Sequence, residues 1–121
     1  MNHHSIVEHA SETRPGVSYA ITRMSLGKRI DLTRRVRELG LRYECLAAGD
    51  KVSDQIEAAL LTQEIDRLYL EWGLVSIAGL TIDGAPATPA GVVEAGPENL
   101  CKEILTAIRA ECQLSEEERK N

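Results

Sequence analysis

Imidazole, thiol and carboxylate side chains are the groups in this chain that could carry chemistry, and their spacing decides whether they do. His3, His4 and His9 supply the commonest metal-binding ring. They stand close to the start with no cysteine nearby, in a stretch whose composition reads as exposed chain. Cys45, Cys101 and Cys112 supply thiols. A cysteine nucleophile needs a base and an electropositive, partly open setting. These three fall on or beside apolar helical stripes, where free cysteine behaves as a small hydrophobe. Asp83 is a lone carboxylate beside Gly84, with no second carboxylate or histidine spaced to form a dyad, and turn chemistry accounts for it. The glycines at 73, 79, 84, 91 and 96 never form GxGxxG or GxxxxGK[ST]. No catalytic residue, metal ligand or cofactor-binding residue is therefore expected, and the chain does not read as an enzyme.

Charge is more informative. Lys28, Arg29, Arg34, Arg35, Arg37 and Arg42 crowd one segment against Asp31 and Glu38, whereas Glu116, Glu117 and Glu118 run together near the end. Such a basic face could neutralise phosphates, which makes a small nucleic-acid-binding regulator one alternative. A net charge of −5, the interspersed acids and the lack of a helix-turn-helix pattern favour a solvated face or a docking surface for an acidic protein. The two poles of opposite sign also allow head-to-tail self-association.

The elements that must position these residues follow from composition and period. At 121 residues the chain suits one domain. With aromatics at 3% and no Phe, its core must come from Leu, Ile, Val and Ala. An odd number of widely spaced cysteines and no secretory leader pattern point to a reducing cytoplasm. No apolar run approaches the ~20 residues of a membrane span.

Residues 1–16 close on Pro15-Gly16 and read as a flexible N-terminal arm. Val17, Tyr19 and Ile21 alternate with smaller residues, the period of a half-buried strand. Ser25 is placed to cap a helix reaching about Ala48 before Gly49, with Leu32, Val36, Leu39, Tyr43 and Leu46 on one stripe. Gly40 inside it suggests a bend or a close helix contact. A second helix, capped by Ser53, carries Ile56, Leu60, Leu61, Ile65, Leu68 and Trp72 and stops at Gly73. Residues 74–80 read as a strand pairing with 17–22, and Asp83-Gly84 as a turn. Thr88-Pro89 starts one short helical turn. Pro97 opens a last helix with Leu100, Ile104, Ile108 and Cys112 on its buried face. The expected fold is α+β, with three to four helices packed on a small two-stranded antiparallel sheet. It occupies one domain, 17–114, followed by an acidic tail, 115–121.

Taken in order, Leu68-Tyr69-Leu70-Glu71-Trp72, Gly79-Leu80-Thr81-Ile82-Asp83-Gly84, Gly96-Pro97-Glu98-Asn99-Leu100, Glu103-Ile104 and the ending Leu114-Ser115-Glu116-Glu117-Glu118-Arg119-Lys120-Asn121 resemble the small tail assembly chaperones of long-tailed bacteriophages and prophages. The resemblance spans about residues 17–121. It implies a non-enzymatic protein of the bacterial host cytoplasm that needs no cofactor. Such a protein keeps the long, helical tape-measure protein soluble until tail-tube subunits polymerise around it. A helical client needs apolar grooves rimmed by charge, and Arg34, Arg35, Arg37, Arg42 and Trp72 are the residues expected to meet protein partners.

Overall fold

The computed structural model describes the backbone of residues 1–120 and the side chains of residues 1–113. Its elements run β1 (Ile6–Ala10), β2 (Ser18–Thr22), α1 (Leu26–Ala47), α2 (Val52–Gly73), β3 (Leu74–Ala78), β4 (Thr81–Ile82), β5 (Ala85–Pro86), α3 (Pro89–Ala95) and α4 (Glu98–Lys120). The fold is helix-dominated α+β. A three-stranded antiparallel sheet in the order β1-β2-β3 lies under the helices, beside a two-stranded β4-β5 ribbon.

Local chemistry sets most boundaries. Ser25 caps α1 by accepting from the Lys28 N–H at 3.3 Å. Thr88 caps α3 by accepting from the Gly91 N–H, with Pro89 in the first turn. Asp83 and Gly84 both take positive φ, 52° and 81°. That pair of left-handed residues makes the tight two-residue turn between β4 and β5. At α2 the cap differs from expectation: Lys51 holds the position without a side-chain bond, and Ser53 lies inside the first turn, where Asp54 faces the helix's positive end.

The core cluster joins Val17, Tyr19 and Ile21 of β2 to Leu70, Leu74, Val92, Leu100, Ile104 and Ile108. Helix α2 is thus shared. Its stripe Leu61, Ile65, Leu68 and Trp72 lies on one side, and Leu70 and Gly73 turn a second side toward α4. A Cβ on Gly73 would stand 2.7 Å from Ile108 Cδ1, so this glycine is what lets α4 approach the end of α2. Arg109 of α4 reinforces the crossing. It pairs with Asp66 at 2.6 Å and lies 5.2 Å from the centre of the Tyr69 ring.

Residues 1–16 correct the expectation of a flexible arm. Ile6–Ala10 forms β1, paired with β2 from Ile6 opposite Thr22 to Ala10 opposite Ser18. The sheet therefore has a third strand. Its alternation is weak, because only Val7 adds apolar packing to the core while His9 stacks on Tyr19 at 5.4 Å. β2 pairs with β3 as expected, and a register shift between Ala20 and Ile21 leaves Val75 as an extra, exposed residue. The expected tail, 115–121, is helical through Lys120 as the last turns of α4, and its side chains lie outside the described residues.

Gly40 makes no close contact: a Cβ there meets nothing within 4 Å. Gly40→Ala should raise stability by up to about 1 kcal/mol, since only the backbone-entropy cost of a helical glycine is removed. Gly73→Ala should lower it by about 1–3 kcal/mol through overpacking against Ile108. Urea denaturation of the two variants checks both signs.

Candidate protein-binding surface

The chemical groups singled out in the sequence are dispersed by the fold. Among the described residues no group of three or more His, Cys, Asp or Glu side chains could hold a metal ion. Cys45 is exposed on α1, while Cys101 and Cys112 are half-buried on α4. The Cys101 thiol donates to the Val92 carbonyl at 3.4 Å. Burial, and secondarily the Glu98 charge, pushes its pKa up, which keeps it in the poorly nucleophilic thiol form. Asp83 forms the β4-β5 turn.

The notable carboxylate is one the sequence did not single out. Glu103 of α4 reaches back to the β1-β2 loop, and its Oε1 accepts from Ser11 Oγ at 3.2 Å, the Glu12 N–H at 3.1 Å and the Thr13 N–H at 2.9 Å. Tyr19 lies beside it. Burial first, then the Glu103 charge and hydrogen bonding to it, push the Tyr19 pKa up to about 12. No spacing rule links residues so far apart in sequence, so only a helix pattern with one polar residue on its inner side hinted at Glu103.

The basic residues do not converge with Trp72. Arg34, Arg35, Arg37 and Arg42 are all exposed on α1. Arg35 is paired with Asp31 at 3.1 Å. Arg42 lines a groove between the helices with Leu41, Cys45, Leu46 and Glu57. Trp72 is half-buried against the core cluster, and its Nε1 has no hydrogen-bond partner among the described residues. Trp72 therefore packs toward the core cluster, whereas the four arginines face solvent.

Helix α1 holds six basic and three acidic residues, and α2 five acidic and one basic. The two pack side by side, and helices in contact lie about 8–10 Å apart, within roughly one screening length at physiological salt. Much of the field of the basic helix is therefore offset inside the hairpin.

Part of the uncovered surface is apolar. The expected stripe of α2 does not all face inward: Val52, Ile56 and Leu60 are 70%, 64% and 48% exposed. They recur every four residues and so share one side of the helix. That line runs into a groove lined by Leu60, Gln63, Leu70, Val93, Cys101 and Leu105, where α3 and α4 cover the second half of α2. On α1, Ile30 and Leu41 are 45% and 54% exposed, with Arg34 and Arg37 between them at helical spacing.

No helix among the described residues is long and apolar enough to cross a membrane. Compared with protein-family models, curated proteins and solved structures, the chain has no significant match.

The Tyr19 environment gives a pH signature. Its folded pKa lies above the ordinary value near 10. Its contribution to stability is therefore complete below about pH 10 and is lost as pH rises towards 12. Ultraviolet titration should show a late phenolate transition, absent from Tyr19→Phe, together with falling stability across that window.

Proposed function

We propose that this chain is a non-enzymatic tail assembly chaperone, or a closely related tail morphogenesis protein, that binds a helical tape-measure-type client. The observation that carries this reading is the exposed Val52-Ile56-Leu60 line leading into the groove between α2, α3 and α4. A helix-shaped apolar trough suits the helix-in-groove mode, in which a client lays down residues spaced by three and four. Each such side chain contributes about 1.5–3 kcal/mol when fully buried. A soluble monomer gains nothing by leaving them bare in a row.

The motif order that resembles the tail chaperones supports the same reading. On it the protein works in the bacterial host cytoplasm, and its further partners are tail proteins such as the tail-tube subunit, with copies of itself as a possible addition. Arg67, Glu98 and Lys102 line or flank the groove and supply a charged rim. The basic helix offers less for nucleic acid, because Arg35 is neutralised by Asp31 and the acidic residues of α2 lie alongside.

Co-expression with a large, helical tape-measure-type protein, followed by size-exclusion chromatography with light scattering, tests the proposal. A soluble complex of defined stoichiometry is expected. Ile56→Asp and Leu60→Asp should each weaken it about tenfold or more while leaving the circular dichroism unchanged, since both side chains are exposed. Separate elution with precipitation of the large protein would overturn the reading.

A further inference from the structure

We infer that β1 and the loop after it form a detachable strap, latched to α4 by the Glu103 carboxylate, which lets go on protonation and bares the pairing edge of β2.

Beyond its backbone ladder to β2, the Ser11 N–H bond to the Val17 carbonyl at 2.8 Å and the His9–Tyr19 stack, the strap has little side-chain packing. β1 is an edge strand with one neighbour, β2. Ile6, Glu8 and Ala10 are exposed, and Val7 is its one contribution to the core packing. The loop residues from Glu12 to Gly16 are exposed as well. Against this stands a single oxygen, Glu103 Oε1, that gathers the Ser11 hydroxyl and the Glu12 and Thr13 amides. Ser11 Oγ passes the restraint on by accepting from the Arg14 N–H at 3.0 Å. The latch thus acts on four consecutive residues of the loop.

Bonds of this kind depend on charge. A carboxylate accepts hydrogen bonds roughly twice as strong as those to a neutral acceptor, so a proton on Glu103 weakens all three at once. The second oxygen, Oε2, is buried without a hydrogen-bond partner among the described residues. The other titratable or charged groups around it are few. Tyr19 of β2 faces the carboxylate, Glu12 and Arg14 stand in the loop, His9 of β1 stacks on Tyr19, and Lys102 precedes it on α4.

Burial by itself pushes the Glu103 pKa up, but the bonds from Thr13, Ser11 and Glu12 outweigh it and hold the group below the ordinary carboxylate range. The latch is therefore fully closed above the unfolded value, about pH 4.3. It opens as pH falls through the lower folded value. Tyr19 stays protonated throughout. Opening frees the N–H and C=O groups of one side of β2 for an added strand.

Amide NMR of the full chain, stepped from pH 7 to about 3, tests the strap. The signals of residues 6–13 should move to unstructured positions while those of β3 and α4 hold. Glu103→Gln should show the strap loosened already at neutral pH and insensitive to pH in this window. Should that variant fail to fold, Ser11→Ala removes one donor and leaves the carboxylate, and should shift opening to higher pH. Loss of β1 and β3 together, or the same midpoint with and without Ser11, would overturn the inference.

Discussion

The close crossing of α2 and α4 at Gly73 and Ile108 is the contact on which the remaining structure depends. A core without Phe has no large plates to span gaps, so its aliphatic side chains must interdigitate at short range. The missing side chain at Gly73 brings Ile108 into the angle between α2 and the sheet. β3 follows Gly73 with no intervening loop, so the same point fixes where Leu74 and the third strand begin. Arg109, held by Asp66 and lying against Tyr69, sits one residue beyond Ile108 and keeps the helices in register. Its exposed ion pair contributes at most about 1 kcal/mol. Its value lies in geometry more than in energy.

From that crossing the first half of α2 extends away from the core cluster and packs chiefly on α1 among the described residues. A helix buried on two sides near its end and on one near its start carries an apolar line that is half covered. The exposed Val52, Ile56 and Leu60 continue, in the same orientation, toward the buried Leu70. The hairpin is stabilised by the inner stripes and by the opposed charge of its two helices. Its outer apolar residues Val52, Ile56 and Leu60 stay exposed.

How much of this was legible in the sequence can be judged element by element. The caps at Ser25 and Thr88, the Asp83-Gly84 turn, the pairing of β2 with β3 and the inner face of α4 follow from local bonds and period, and the structure agrees with them. β1 was not legible. Val7 and His9 are too weak an inward pattern, and the strand exists because β2 offers an open edge and Glu103 ties down its loop. Of the candidate site residues, the arginines are exposed as their charge requires, but Trp72 is drawn inward by its size. The groove beside α2 could not be read from periodicity, because Ile56 and Leu60 share a helical repeat with the buried Leu61 and the half-buried Ile65.

The sequence by itself determined the fold class, most of the helix starts and turns and the aliphatic character of the core, because each rests on interactions within a few residues of chain. Tertiary structure alone decided which apolar stripes are buried, which carboxylate is a structural acceptor and whether the first residues are ordered. Those outcomes depend on what packs opposite each side chain. Glu103 meeting Ser11, or Gly73 meeting Ile108, is a fact of distance in space that no repeat in one dimension encodes.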